Sequence, residues 1–344
     1  MAGMSDRLPE GASRWCPRSW VLILFFASGL LSLEGCGGRP ITGWSSYSVP
    51  GWGRGHTAAW TAPGAPIWVI EEHHVFRVDG DSIEEDSQAI GFAPYVPFDP
   101  SFHAISGTAP DDIRIDSVLH FDGRSWRWDL DSGGGGQALH GVAHDLYFFL
   151  KRDGHGFVQW DGVQWTPHQL PNPPAANWGV AAVHASGPGD VHIVGWGGQL
   201  AHYDGSEWRL TTAPFPVELA TVWAKSPTEA YAGGARPPIS GRWAQDLPPN
   251  PGVLLGWDGH GWQELASPTT DAIQHLVGDG DRLFLASGQK VFERSPQGRW
   301  TEILEVEPDR LITHVSFGAG MLMVCDIDTT DQNYQEGSNL WVRR

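Results

Sequence analysis

The sequence predicts an all-β protein, folded as a seven-bladed β-propeller of four-stranded antiparallel blades. Three observations predict this fold: a repeat of roughly 40 residues, a turn signal at the same place in each copy, and an incomplete copy at each end. A period near 40 with about four short strands per unit is typical of a propeller blade. The predicted propeller covers residues 41–344.

The clearest copy of the repeat is residues 183–210, VHASGPGDVHIVGWGGQLAHYDGSEWRL. Residues 183–185, 191–194 and 200–203 have the β-branched and alternating composition of strands, and a fourth strand begins at Trp208. Small and turn-forming residues at 186–190 predict a loop. The pair Asp204-Gly205 predicts a hairpin in which both turn positions take positive φ.

The same signals recur along the chain. The recurring pairs are Asp79-Gly80, Asp122-Gly123, Asp161-Gly162, Asp204-Gly205 and Asp258-Gly259. The residues that follow them and close each unit are Ile83, Trp126, Trp165, Trp208, Trp262 and, in a degenerate copy, Trp300. The 44 Gly and 26 Pro, with few apolar residues at helical spacing, disfavour a helical solenoid of similar period.

The units follow in order along the chain. Residues 41–49 resemble an outer strand without its inner partners, and residues 338–342 resemble a third strand with no fourth behind it. The first strands of the seven blades are predicted near residues 57, 102, 139, 183, 221, 273 and 311. Pairing 41–48 with 339–343 would complete the seventh blade and close the ring, which removes exposed sheet edges.

The repeat also supports a family resemblance. The pattern V-(W/H)-A-S-x-x-x-D-V-x-x-V-G-x-x-G-x-L-x-H-Y-D-G-S-x-W, present at residues 183–208, resembles the repeat of Kelch/galactose-oxidase-like β-propeller lipoproteins of bacteria. The resemblance extends over roughly residues 41–344. It implies the propeller fold, and it implies no activity.

The N-terminus predicts export and lipid attachment. Residues 21–33 are an apolar run of signal-peptide length, preceded by Arg7, Arg14 and Arg18. Leu33-Glu34-Gly35-Cys36 resembles a bacterial lipobox, so residues 1–35 are predicted to be removed and Cys36 to be lipidated. Residues 36–40 form a short tether, and a plain secretory signal is the alternative. Because Gly37 rather than aspartate follows the cysteine, an outer-membrane position in the cell envelope is favoured, facing either side.

The charge and the cysteine content limit the classes of partner and the kinds of cross-link that we expect. The net charge of −18 argues against nucleic acid and against electrostatic docking on anionic lipid. Only three cysteines are present, and Cys325 lies in an apolar run, so we expect a buried structural thiol and no internal disulfide framework.

Two sets of side chains are candidate metal ligands. The second position of the predicted first strands holds five histidines, and these could form a ring near the propeller axis: His103, His140, His184, His275 and His314. The alternative is that these histidines pack between blades. Asp326, Asp328 and Asp331 resemble half of a calcium loop that lacks its central Gly and final Glu, so a solvated acidic loop is favoured there.

Long connections predict an interaction face. Residues 84–101, 167–177, 235–252 and 326–338 all join strands at one side of the predicted propeller. Long loops on a rigid scaffold commonly carry binding residues. The expected contacts are Tyr95, Phe98, Arg242 and Trp243.

The sequence contains no nucleophile elbow, phosphate-binding loop or zinc-hydrolase motif. We therefore expect a membrane-anchored binding scaffold without a cofactor, whose ligand is a protein or glycan of the envelope. Two alternatives stay open: an enzyme acting on glycans or another extracytoplasmic substrate, and a structural subunit of an envelope assembly.

Overall fold

The computed structural model describes residues 43–50, 57–71, 74–86, 102–116, 119–129, 136–151, 156–170, 179–236, 251–330 and 338–344. These residues form seven sheets, each of four antiparallel strands, which confirms the predicted propeller. In every sheet the strands follow chain order, except that the N-terminal strand completes the last one.

Blades one to four are built from consecutive strands. Blade one contains β2 (Thr57–Trp60), β3 (Ile67–Glu71), β4 (His74–Asp79) and β5 (Ser82–Glu85). Blade two contains β6 (Ile105–Ala109), β7 (Asp112–Ile115), β8 (Leu119–Phe121) and β9 (Trp126–Trp128). Blade three contains β10 (Gly136–Ala143), β11 (Leu146–Lys151), β12 (Gly156–Trp160) and β13 (Trp165–Gln169). Blade four contains β14 (Val180–Gly187), β15 (Asp190–Gly195), β16 (Gln199–Tyr203) and β17 (Trp208–Thr212).

The remaining blades complete the ring. Blade five contains β18 (Glu218–Ser226), β19 (Glu229–Ala235), β20 (Gly252–Trp257) and β21 (Trp262–Leu265). Blade six contains β22 (His275–Asp279), β23 (Arg282–Ser287), β24 (Lys290–Arg294) and β25 (Trp300–Glu305). Blade seven contains β26 (Arg310–Gly318), β27 (Met321–Asp328), β28 (Ser338–Arg343) and β1 (Ser45–Val49).

The N-terminal strand closes the ring as predicted. Ser45 pairs with Val342 and Val49 pairs with Ser338, so β1 is the outer strand of blade seven. The first strands of neighbouring blades contact one another around the axis, and β2 contacts β26 where the ring closes. The Thr57 and Ser338 hydroxyls hydrogen-bond at 2.7 Å across this junction. Closure therefore joins the two ends of the propeller by backbone pairing and by buried side chains.

The Asp-Gly pairs form hairpins, but not with the turn that the sequence suggested. In the turn after β16, Gly205 has φ 89° and Asp204 does not enter the left-handed region. The Asp204 carboxylate instead accepts backbone N–H groups of Ser206 and Glu207 at 3.0 Å. Turns at Asp122, Asp161 and Asp258 repeat this pattern, and backbone donation lowers the pKa of each carboxylate. The aspartate side chain, rather than two positive φ angles, organises the turn.

Aromatic side chains fill the spaces between blades. Trp68 of blade one and Trp126 of blade two meet edge to face, with ring centroids 5.3 Å apart. The indole of Trp223 lies against Gly278 of the next blade, where a Cβ would stand 2.2 Å from the ring. Burial of aromatic rings is the main apolar contribution to such interfaces. This packing explains the high tryptophan content.

The strand order divides the loops between two faces. We call the side where first and second strands join, and third and fourth strands join, the hairpin face; in blade four it carries Gly189 and Gly205. The opposite side is the crossover face, where second and third strands join and where each blade leads to the next. In blade four it carries the turn Trp196–Gly198. Two predicted loops are shorter than expected, because β13 extends to Gln169 into the stretch 167–177 and β27 extends to Asp328 into the stretch 326–338.

Candidate functional site

The five predicted histidines do not share one structural position, so the single-column alignment is wrong. His140 and His184 pair with the third residues of their second strands, Phe148 and His192. His275 and His314 pair with the fifth residues, Ala286 and Cys325. Two residues along a strand correspond to roughly 7 Å. These four histidines therefore lie at two depths along the inner strands.

His140 and His184 form one pair across blades three and four. Their rings are 4.1 Å apart. His140 Nε2 lies 3.2 Å from the Ala185 carbonyl oxygen, which can only accept, so Nε2 carries the proton. His184 Nδ1 accepts the Ala224 N–H at 3.1 Å. Each imidazole thus bonds to the backbone of the next blade.

Burial keeps these imidazoles neutral. It lowers the pKa of His140 to about 4. Burial and then the neighbouring His140 lower the pKa of His184 well below its usual value. His314, whose ring is 5.8 Å from that of His275, also has its pKa lowered to about 4 by burial. The hydrogen bonds of His140 and His184 correspond to the packing alternative, while metal or anion binding by the pairs stays a prediction.

His103 lies apart from both pairs. It precedes β6, and its backbone N–H, with that of Ala104, donates to the Asp116 carboxylate. Its Nδ1 is 3.8 Å from Asp116 Oδ2. Burial raises the pKa of Asp116. His103 thus belongs to the junction entering blade two.

The acidic stretch that begins at Asp326 was expected to be a solvated loop, but its first residues belong to strand β27. Asp326 lies on β27, fully buried, and its carboxylate meets Arg310 Nε at 2.5 Å and Trp341 Nε1 at 2.6 Å. Asp328 ends the same strand and accepts the N–H of Thr330 at 2.7 Å. Asp331 lies outside the described residues, as do Cys36, Tyr95, Phe98, Arg242 and Trp243. Their predicted roles stay predictions.

A different cluster brings potential ligands together in blade four. Among the described His, Cys, Asp and Glu residues, Asp190, His192 and His202 each offer one ligand atom within 4.8 Å of the other two. The Nε2 atoms of His202 and His192 lie 2.7 and 3.2 Å from the same oxygen, Asp190 Oδ1. Ser186 Oγ donates to the other oxygen at 2.6 Å.

Strand geometry explains why these residues meet. Asp190 and His192 are two apart on β15, so they share one face of the sheet. His202 on β16 stands directly opposite His192, and the two rings stack at 4.3 Å. Burial alone would raise the pKa of Asp190, but the two imidazoles and the Ser186 hydroxyl lower it well below the usual value. The carboxylate is therefore charged at neutral pH.

His192 is the unusual member of the cluster. Its side chain is 1% exposed, and neither ring nitrogen has a hydrogen-bond partner among the described residues. Trp257 and Trp262 of blade five meet its ring at 5.8 and 5.7 Å. The His202 side chain is 14% exposed and borders solvent. The cluster is thus a buried polar corner between blades four and five with one open side.

The same positions in blade two are arranged differently. Asp112, Arg114 and His120 correspond to Asp190, His192 and His202, because Arg114 pairs with His120 on neighbouring strands. His120 Nε2 is hydrogen-bonded to Asp112 Oδ1 at 3.0 Å, while the Tyr147 hydroxyl donates to Oδ2 at 2.7 Å. His144 Nδ1 also approaches Oδ2, at 3.3 Å. The two histidines therefore approach different carboxylate oxygens.

Sequence reasoning missed the blade-four cluster. It identified residues 191–194 and 200–203 as strands, and alternation along β15 would have placed Asp190 and His192 on one face. The missing information was the register that sets His202 opposite His192. Register depends on the turn between β15 and β16, whose length a single sequence does not determine.

Trp196 is the largest apolar side chain exposed on the described crossover face. It is 51% exposed. The backbone N–H of Trp196 donates to the Gly179 carbonyl at 2.8 Å. The indole ring covers Gly179, where a Cβ would lie 2.5 Å from the ring. Gly197 N–H donates to Glu218 Oε2 at 3.0 Å. The indole is thus presented on a fixed backbone.

Comparison with known proteins identifies the fold. No protein-family model matches the sequence, and no curated protein matches it. The structure is similar to YCF48 bound to D1 peptide, with TM-score 0.60 and 13% identity over 88% of this chain and 97% of that one. It is also similar to virginiamycin B lyase from Staphylococcus aureus, with TM-score 0.64 and 9% identity over 88% and 99% of the two chains.

A third similar structure is the extracellular domain of what is named a one component system from B. thetaiotaomicron, with TM-score 0.62 and 10% identity. The match covers 87% of this chain and 40% of that one. Within the described residues, no helix combines the length and apolar character needed to cross a membrane. At these identities the likenesses establish a propeller fold that occurs both in binding proteins and in an enzyme.

Proposed function

We propose that this chain is a lipoprotein of the bacterial cell envelope whose propeller binds a protein ligand on its crossover face. The observation that carries the proposal is the exposed, rigidly held Trp196 on that face. Tryptophan in a fixed setting is a frequent anchor of protein interfaces, because it buries a large area at little entropic cost.

Topology supports the choice of face. The four longest connections predicted from the sequence begin and end at strands that meet on the crossover face, including the sixteen residues between β19 and β20. Tyr95, Phe98, Arg242 and Trp243 belong to these connections. A binding surface here would combine Trp196 with residues from several blades. The peptide complex of a similar propeller is consistent with such a role.

The proposed anchor is a lipid on Cys36. The apolar segment 21–33 and the lipobox-like Leu33-Glu34-Gly35-Cys36 support it, as does the Kelch-like lipoprotein resemblance of the repeat. Several acyl chains would hold the propeller stably at the membrane. The expected position is the outer membrane. Incorporation of a labelled fatty acid into the wild-type chain, lost in Cys36→Ser, would support lipidation, and its absence from the wild type would refute it.

The binding face can be tested by photocrosslinking in the native host. A photoreactive amino acid is introduced at Trp196 or at Val163, which is 83% exposed in the turn between β12 and β13 on the hairpin face. We expect a defined protein adduct from position 196 and none from position 163. Equal adducts from both positions, or an adduct from 163 alone, would refute the crossover face as the binding surface.

The identity of the adduct separates the partner classes. A protein identified by mass spectrometry supports the proposal, provided that Trp196→Ala in the intact lipoprotein also weakens its capture at least tenfold. A sugar-containing adduct without protein would replace the protein ligand with a glycan. Thermal unfolding of Trp196→Ala should lie only slightly below that of Val163→Ala, since half of the indole is exposed and the rest covers Gly179.

A further inference from the structure

Three potential ligand atoms point to one place in blade four. Nε2 of His192 and Nε2 of His202 lie within 3.2 Å of the same Asp190 oxygen. Two directly opposed cross-strand residues have Cβ atoms roughly 5 Å apart, a separation that lets both imidazoles reach one ion. The three groups come from two adjacent strands of one sheet, and the backbone pairing of β15 with β16 holds His192 opposite His202.

The protein leaves His192 without the contacts that a buried imidazole needs. Both ring nitrogens lack a hydrogen-bond partner among the described residues, and the side chain is almost fully buried. A buried polar group without a partner costs about 1–3 kcal/mol, so such groups in native proteins call for a physical explanation. The 3.2 Å approach of Nε2 to Asp190 Oδ1 lacks the geometry of a hydrogen bond. A bound cation would satisfy the nitrogen and the carboxylate together.

We propose that Asp190, His192 and His202 bind a divalent transition-metal ion, with Zn²⁺ as the ion whose preferences best match them. Two imidazoles and one carboxylate are a ligand set that zinc uses with an open fourth position. The hard, oxygen-preferring ions Ca²⁺ and Mg²⁺ match it less well. The open position lies on the side of His202, which is the most exposed of the three residues.

Blade two has the equivalent aspartate and histidine, but its other residues do not form the proposed metal site. Arg114 takes the position of His192, and its guanidinium is a permanent cation that pairs with Asp129 at 3.1 Å. The Tyr147 hydroxyl of the next blade occupies the second oxygen of Asp112. Blade five has Ala230 at the position equivalent to Tyr147, so no phenol reaches Asp190. Blade two therefore supplies a matched internal control.

A bound ion would also stabilise the interface between blades four and five. Trp257 contacts both imidazoles, at 5.8 Å from His192 and 5.2 Å from His202. Its Nε1–H donates to the Pro227 carbonyl at 3.0 Å, which fixes the ring. An ion that fixes both imidazoles would hold this aromatic contact in one arrangement. Binding to the native state alone raises the unfolding temperature.

The test measures Zn²⁺ binding to the full-length, untagged chain after removal of metal with a chelator. Calorimetric titration of Zn²⁺ at neutral pH is compared for the wild type, His202→Gln and the blade-two control His120→Gln. We expect one tight equivalent in the wild type, at least tenfold weaker binding in His202→Gln, and wild-type binding in His120→Gln. Co²⁺ in place of Zn²⁺ should give visible absorption that disappears in His202→Gln.

The unfolding temperature with and without Zn²⁺ is a second measurement of binding. Zn²⁺ should raise the unfolding temperature of the wild type and of His120→Gln, and should leave that of His202→Gln unchanged. His192→Leu is a second variant that keeps the apolar contact with Trp257 and Trp262, and it should lose the zinc response in the same way. Absence of a tight equivalent in the wild type, or equal zinc responses in all variants, would overturn the proposal. This outcome is independent of partner capture at Trp196.

Discussion

Blades two and four place an aspartate at the same point of the same scaffold and surround it differently. Asp112 and Asp190 both begin the second strand, and both face a histidine on the third strand and a hydroxyl on the first. In blade two, three side chains, those of Thr108, His120 and Tyr147, hydrogen-bond to the two oxygens. In blade four, two imidazoles converge on one oxygen.

The difference lies in two neighbouring positions. Arg114 of blade two stacks on the Trp160 ring at 4.3 Å and pairs with Asp129, whereas His192 has no hydrogen bond. The Tyr147 hydroxyl donates to Asp112, whereas the equivalent residue of blade five, Ala230, has no hydroxyl to offer Asp190. A repeat can thus keep its strands and turns while two substitutions change a structural carboxylate into a candidate ligand. Four experiments would break or sharpen this comparison.

The largest effect is expected from the two matched positions themselves. Arg114→Met should lower the free energy of unfolding by about 3 kcal/mol, because it leaves Asp129 without its cation and removes the stacking on Trp160. His192→Leu in the presence of a chelator should cost much less, because neither imidazole nitrogen makes a hydrogen bond and Asp190 keeps its hydrogen bonds to His202 and Ser186. Urea unfolding of both variants measures this. An equal loss in the two would show that His192 has a structural role like that of Arg114.

The phenol beside Asp112 should contribute the next largest effect. Burial alone would raise the pKa of Asp112, but hydrogen bonds from His120, Thr108 and Tyr147 outweigh it and hold the pKa at about 2. A hydrogen bond to a charged acceptor contributes about 1.5–3 kcal/mol. Tyr147→Phe should therefore lower the free energy of unfolding by about 2 kcal/mol at neutral pH. A loss below about 0.5 kcal/mol would contradict the assignment.

Acid should destabilise the inner strands of blades three and four, which carry the buried imidazoles of His140 and His184. The equivalent residue of blade two is Ser106, which does not titrate. His140 has a folded pKa of about 4, below its ordinary value of 6.5. The unfolded chain therefore binds the proton first, and the free energy of unfolding decreases as the pH falls from 6.5 to about 4. His140→Gln should reduce this decrease by about 1–2 kcal/mol. An unchanged pH profile in that variant would contradict a buried neutral imidazole.

The smallest effect is expected at the first-strand hydroxyls. Thr108 donates to Asp112 and Ser186 donates to Asp190. Thr108→Val and Ser186→Ala should each lower the free energy of unfolding by about 1 kcal/mol, as for a single hydrogen bond. Chemical denaturation compares the two. A much larger loss in Ser186→Ala than in Thr108→Val would mean that Ser186 holds Asp190 more firmly than the geometry indicates.

Most of the fold could be predicted from the sequence. The residues that close five of the units, Trp126, Trp165, Trp208, Trp262 and Trp300, are the first residues of their fourth strands. The connection 235–252 joins β19 to β20 as expected, and β1 pairs with β28. Hairpin turns and strand alternation are determined by residues close together in the chain. Period, blade number and ring closure therefore follow from the sequence alone.

Only the tertiary structure decided which side chains meet. A β-bulge precedes the turn between the first two strands in blades three and four, and blades six and seven have none at that place. The bulge accounts for one of the two pairing positions that separate His140 and His184 from His275 and His314, and the other arises because His275 and His314 lie one residue farther from the turn to the second strand. Register likewise set His202 opposite His192 over Asp190. Such cross-strand contacts depend on bulges and on residues of the neighbouring blade, and the repeat pattern carries neither.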